Sequence, residues 1–354
     1  MRKLATIRQV KDVLPINGAD LIELIRVDGW QCVSKKGEFK PGDIGVYFEI
    51  DSFLPVEQRY EFLRKSSYRK MPDDTEGFRI KTIKLKGVLS QGLMMPLSVF
   101  NEINGNANIG DDVTELLRVT RYEPPIPPQL AGSIKGMFPT KIKQTDQERI
   151  QNLWDTYSVE YRNTLFEVSL KLDGASMTVY YDNGDFGVCS KNIDLKRDKA
   201  NTFWRVAERL SLEGIMTAYG KPIAIQGELI GNGIQGNNEK LTDADFYVFD
   251  IWDIEEQRYY DPVMRKAILY ILNNISKSIT GSTYIAPHGL KHMPVLGPGY
   301  MTLGQFKSLD EILAYAEGPS LNPKSKREGL VFKSVERING QIISFKVISN
   351  AYLI

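Results

Sequence analysis

The chain has 354 residues, 42% hydrophobic and 25% charged, which is more than one hydrophobic core usually organises, so two domains of ordinary globular type are expected. A formal net charge of +1 excludes attraction of nucleic acid by bulk charge alone, and two distant cysteines, Cys32 and Cys189, exclude a disulfide framework and a cysteine zinc site. The opening MRKLATIRQVKDVLP is broken by charge too often for a signal peptide, and no later run approaches the roughly 18 apolar residues of a membrane span, so an intracellular, cytoplasmic protein without a membrane partner is expected.

In chain order, LIELIRV and WQCVS flank Asp28-Gly29, a two-residue hairpin signal, and KPGD turns the chain into IGVYFEI. In FRIKTIKLKG the apolar phase shifts: Phe78 and Ile80 share one parity, Ile83 and Leu85 the other, which predicts a bulge or sharp bend. Five or so short, bent strands in this length fit an OB-like β-barrel, with an SH3-like barrel as the alternative. The proline-rich RYEPPIPPQLAG suits neither a helix nor a central strand, so the boundary falls near residue 122, with domains 1–122 and 123–354 and a linker at the start of the second.

Beyond it, three helices are expected. TDQERIQNLWDTY opens on a Thr145/Glu148 capping box, DPVMRKAILYILNNIS has Asp261 as N-cap and Pro262 in the first turn, and SLDEILAYAEG has a second S-x-x-E box and closes at Gly318. Between them lie the strands LFEVSLKL, MTVYY, FGVCS, PIAIQGELI, DFYVFDIW, EGLVFKSV and QIISFKVI. This is an α+β pattern of antiparallel sheets with helices packed outside. GNGIQG matches G-x-G-x-x-G in letters, but the polar NNEKLTDAD that follows leaves no room for the helix on which a pyrophosphate would sit. His288 and His292 fall in a loop-like segment and receive no role, being expected at the surface.

Five segments sit at or beside strand ends: KLDG from Lys171, SKN from Ser190, QGEL from Gln226, FYVFD from Phe246, and the pair EGLVFK from Glu328 with SFKVIS from Ser344. Singly each is weak. Together, in this order, they resemble the covalent nucleotidyltransferases, the ligases and capping enzymes that act through a lysyl-nucleotide. Three features refine the resemblance. Ser176 follows KLDGA where DNA ligases and capping enzymes usually carry arginine, only VISNAYLI follows Lys346, and the OB-like module comes first. The chain is therefore most similar to the ATP-dependent RNA ligases, in particular to the fifth RNA ligase family.

That resemblance implies a lysine nucleophile, Lys171, which takes AMP from ATP, passes it to an RNA 5′-phosphate, and lets a 3′-OH displace it, most naturally at a nick in duplex RNA during repair. It implies catalytic roles for Lys171, Glu228, Glu328 and Lys346. ATP would be held by Lys171, Asp173, Gly174, Lys191, Glu228, Phe249, Lys333 and Lys346. Phe249 would stack on adenine, with Asp250 fixing the turn beside it, and Lys333 and Lys346 would reach one phosphate from late strands. Asp173, Glu228 and Glu328 would hold Mg²⁺ or Mn²⁺, chiefly through water. Lys191 stands where these enzymes more often have arginine, and Ser344 where many have the first of two lysines. Expected partners are RNA with 3′-OH and 5′-phosphate ends, and a monomer is the default. A DNA-joining ligase, a GTP-dependent capping enzyme and a non-catalytic RNA-binding protein on the same fold are the alternatives. The basic runs FRIKTIKLKG and KNIDLKRDK would then track phosphates.

Overall fold

The computed structural model describes residues 2–103, 107–125, 132–280 and 289–353, so His288 and much of the proline-rich segment lie outside the described residues. Residue contacts divide the chain into two units, 1–127 and 128–353.

In the first unit a five-stranded antiparallel sheet runs in the order Leu93–Pro96, Ile44–Phe48, Ala5–Pro15, Ile22–Val27, Trp30–Lys35. The first half of Ala5–Pro15 pairs with Ile44–Phe48 and the second half with Ile22–Val27, with a register shift between Val10 and Asp12. Such an irregularity bends a strand, which lets one strand serve two faces of a barrel-like sheet. Val27 lies opposite Trp30 and Asp28 takes φ +52°, so the Asp-Gly hairpin forms as expected. The phase shift in FRIKTIKLKG is a change of sheet rather than a bulge. Glu76–Arg79 belongs to a four-stranded sheet, and Ile83–Leu85 then forms a separate hairpin with Val88–Ser90. Phe78 is fully buried while Leu85 is 37% exposed, so the two parities report two different surroundings.

The second unit is α+β, as expected. One sheet contains, in order, Ile134–Met137, Ile193–Leu195, Asp185–Cys189, Ala175–Asp182, Ile223–Ile230, Asp245–Asp253 and Arg258–Tyr259. The other runs Glu148–Arg149, Ser344–Ile348, Gly329–Ser334, Phe166–Lys171, Val295–Met301. All seven apolar runs read as strands are strands, and two short parallel pairings join the otherwise antiparallel ladders. Helix Pro262–Thr280 starts as expected, with Met264 N–H donating to Asp261 Oδ1 at 2.8 Å. Ser308 likewise caps Leu309–Tyr315 by accepting from Glu311 N–H. The Thr145/Glu148 box does not form. Glu148–Arg149 is drawn into a strand beside Phe345–Lys346, and the helix begins later, at Ile150–Glu160, with no side-chain cap. Two helices absent from the sequence reading, Thr202–Arg209 and Leu212–Tyr219, pack Trp204, Val206, Leu212 and Met216 against the first sheet. No helix starts within GNGIQG, and no described helix is long and apolar enough to cross a membrane.

Candidate active site

The apolar run Phe166–Lys171 is buried up to its last residue and pairs with Gly329–Ser334 so that Lys171 lies opposite Gly329. Because burial fixes strand register, the lysine emerges at the strand end beside Glu328. Its Nζ donates to Glu328 Oε2 at 2.6 Å, with 26% of the side chain exposed. A Cβ on Gly329 would run into the Val347 carbonyl oxygen, and one on Gly174 into that of Leu229. Glycine at these two positions therefore lets neighbouring backbones close around Lys171. On the other sheet Ser176 lies opposite Glu228, whose side chain packs closely against Gly174.

The electrostatics are dominated by acids. Burial alone would push the Lys171 ammonium down, but Glu328, Glu228 and Asp173 outweigh it and hold the pKa above the usual lysine value. Burial pushes Glu228 up to about 7, with Lys171 pulling it down and Glu328 and Asp173 adding to the rise. Lys171 is thus a protonated amine set among three carboxylates, a local excess of negative charge that a divalent cation would complement.

Phe249 reaches the site through a bulge. Gln226 pairs with Asp250 and Gly227 with Val248, leaving Phe249 as the unpaired residue of Asp245–Asp253. Its ring lines the cavity and sits 5.2 Å from Lys333 Nζ. Asp250 does not fix a turn. It lies within the strand, 5% exposed, and its carboxylate meets Lys333 Nζ at 2.6 Å and Arg265 Nη1 at 3.5 Å. Lys333, 4% exposed, also donates to the Phe249 carbonyl at 2.8 Å. Burial pushes its pKa down to about 8, against the pull of Asp250 and with Arg265 adding to the fall. Arg265 further bonds Glu167 and, through Nε, the Nε2 of His292 at 3.2 Å. His292 is therefore a half-buried member of this polar network rather than an exposed loop residue, and burial followed by Arg265 pushes it down to about 4.

These groups enclose a cavity of about 260 Å³ between the two sheets of the second unit. Of the expected residues, Lys171, Gly174, Lys191, Glu228, Phe249, Lys333 and Lys346 line it, with Lys191 exposed at the rim. Asp173 and Glu328 do not line it. Glu328 is held against the Lys171 amine, and Asp173 Oδ2 accepts from Tyr352 Oη at 2.5 Å. Lys346 Nζ is 3.5 Å from Asp146 Oδ1, and Ser344 lines an adjoining cavity of about 100 Å³. Thr145, Asp146 and Gln147 also face the main cavity, as do Ser169 and Met293. Sequence reasoning gave them no part in the site: Thr145, Asp146 and Gln147 read as the start of a helix, Ser169 as an ordinary strand residue, and Met293 carried no motif. Among the described residues no three His, Cys, Asp or Glu side chains converge closely enough to ligate one ion directly. Asp173, Glu228 and Glu328 surround the lysine instead, an arrangement that suits a metal keeping its waters.

Comparison with known proteins agrees with this architecture. An OB-fold domain model matches residues 4–97 and an RNA ligase model matches residues 164–348. A search of curated proteins gives no match. Among solved structures, a variant of the Naegleria gruberi RNA ligase with AMP and Mn is 46% identical, covering 99% of this chain and 98% of that one, with a TM-score of 0.82. The Naegleria gruberi RNA ligase with PPi is also 46% identical, covering 100% and 98% at a TM-score of 0.81. A further variant with ATP and Mn is 45% identical, covering 99% and 98% at a TM-score of 0.81. With an OB fold ahead of a two-sheet domain whose lysine and acids lie within residues 164–348, the chain belongs to the RNA ligase family.

Proposed function

We propose that this RNA ligase uses ATP and a divalent cation, Mg²⁺ or Mn²⁺, to join 3′-OH and 5′-phosphate RNA ends, most naturally at nicks in duplex RNA. The observation that carries this reading is the Lys171 amine at the mouth of a cavity lined by Phe249, Lys333 and Lys346 and flanked by three carboxylates. In the first step the Lys171 Nζ lone pair attacks the α-phosphorus of ATP, the N–P bond forms and the bond to pyrophosphate breaks. The amine must first give up a proton, and Glu328 Oε2, 2.6 Å away, is the acceptor in place to take it. A bound divalent cation would neutralise the carboxylates that keep Lys171 protonated and would stabilise charge on the transferred phosphate. Phe249 offers a ring face for adenine. Lys346 and Lys333 supply positive charge at the phosphates, Glu228 and Gly174 shape the wall beside them, and Asp173 adds negative charge felt by Lys171 and Glu228. AMP then passes to an RNA 5′-phosphate, and attack by the 3′-OH releases it.

The first unit suits an RNA-binding domain. Lys81, Lys84 and Lys86 are exposed on and beside the Ile83–Leu85 hairpin, a surface that suits phosphate tracking. Lys191, Lys196 and Lys199 give a second exposed basic run beside the site, whereas Arg197 is already paired with Glu208 and Glu213.

The direct test is to incubate the protein with α-labelled ATP and Mn²⁺, with GTP as control, and then supply nicked duplex RNA or DNA. Covalent label from ATP and sealing of RNA are expected. Sealing of DNA at equal rate would make it a general polynucleotide ligase, and no label would overturn the transfer mechanism. A pH dependence follows from Glu228. Its carboxyl is mostly protonated below about 7 and ionised above. At limiting metal the labelling rate should rise as pH passes from about 6 to about 8, by several-fold, and Glu228→Gln should abolish that rise along with most of the activity. An unchanged profile in the variant would remove Glu228 from the metal-dependent step.

A further inference from the structure

The structure points to Tyr352 as a positioning residue for Asp173, an inference that rests on the ligase reading above. We infer that its phenol holds the Asp173 carboxylate in one rotamer beside Lys171 and Glu228, and thereby sets the metal dependence of AMP transfer.

The strand that carries Lys346, Ser344–Ile348, continues directly into the short helix Asn350–Leu353. Two contacts dock that turn against the segment that carries Glu328: Ser349 N–H donates to the Glu328 carbonyl at 2.9 Å and Lys326 Nζ donates to the Ala351 carbonyl at 2.9 Å. Within the turn, Tyr352 N–H reaches Ser349 Oγ at 3.2 Å. Tyr352 Oη then donates to Asp173 Oδ2 at 2.5 Å. A phenol donating to a carboxylate is a charge-assisted bond, stronger than one between neutral groups. Burial, followed by the bond to Asp173, raises the tyrosine pKa, so the phenol remains a donor across the working range.

The bond uses one oxygen of Asp173 and leaves Oδ1 for water, metal or ribose. Asp173 acts electrostatically on both Lys171 and Glu228. Freeing its side chain would weaken that field and scatter the orientation of the remaining oxygen. Tyr352 thus ties the segment after Lys346 to the K-x-D-G turn, through two residues 179 apart in sequence.

The test compares four full-length proteins: wild type, Tyr352→Phe, Asp173→Asn and the double variant. Each is melted without metal or nucleotide, and each is labelled with α-labelled ATP across a Mn²⁺ titration. Tyr352→Phe keeps the ring and its packing, so it should still accept AMP at high Mn²⁺ but need about tenfold more metal for half-maximal labelling, the scale of one lost bond to a charged acceptor. The double variant should be no worse than Asp173→Asn alone, in melting as in labelling. Wild-type metal dependence in Tyr352→Phe, or losses that multiply in the double variant, would overturn the assignment. A lower metal requirement would also overturn it and make Tyr352 an obstacle. A wild type that takes no label would overturn the ligase reading instead; the melting cycle alone would then decide whether the two side chains are coupled.

Discussion

Lys171→Met is expected to reduce covalent AMP labelling to background, a fall of at least about three orders of magnitude, because methionine has no nucleophile to form the phosphoramidate. By protonation alone the forecast would be different. Lys333, pushed down to about 8, gives up its proton more readily than Lys171, which is held above the ordinary lysine value. Geometry decides against Lys333. Its amine is buried and bonded to both Asp250 and the Phe249 carbonyl, whereas Lys171 is partly exposed at a strand end with an acceptor carboxylate in contact. Lys333→Met should therefore slow labelling without abolishing it. Persistent label in Lys171→Met, mapped by peptide sequencing to Lys333, would reverse the assignment. Methionine preserves the length of the stem, and a melting temperature within a few degrees of wild type would show that loss of label is loss of chemistry.

Much of this site was legible because its residues sit at the ends of apolar strands. Val168 and Leu170 fix the register of Lys171, and the Gly-flanked acids Glu228 and Glu328 fall where neighbouring strands close on it. The hairpin at Asp28 and the cap at Asp261 were readable for the same reason, since each is set by a few adjacent residues. What could not be read depends on long-range pairing. Glu148 has the letters of a capping box, yet its backbone is taken by Phe345, almost 200 residues later. Asp250 looked like a turn residue because it ends the FYVFD motif, but it is the shared counter-ion of Lys333 and Arg265, supplied by a distant strand and a helix. Arg265 and Tyr352 carried no motif signal, and their partners Glu167 and Asp173 are 98 and 179 residues away.

Asp250→Asn is the substitution expected to cost most in stability. The side chain keeps its shape but no longer compensates two cations, Lys333 at 4% and Arg265 at 2% exposure. Breaking a buried pair from one side typically costs about 3–5 kcal/mol, because the remaining charge has no water to turn to. The sign of the pH dependence follows from Lys333. Its folded pKa, already lowered to about 8, would fall further without Asp250, while the unfolded chain keeps the ordinary lysine value. The unfolded state then binds more protons across the interval between the two, so stability rises with pH there and the penalty is full below the folded value. The gap in melting temperature between variant and wild type should accordingly be wider at pH 6 than at pH 9. Adding Lys333→Met removes the stranded charge and should restore much of the lost stability, although not the activity, since the cavity then lacks an amine beside Phe249. An Asp250→Asn protein with wild-type stability at pH 6, or a double variant no more stable than the single, would show that Asp250 is not the counter-ion that keeps Lys333 charged in the core.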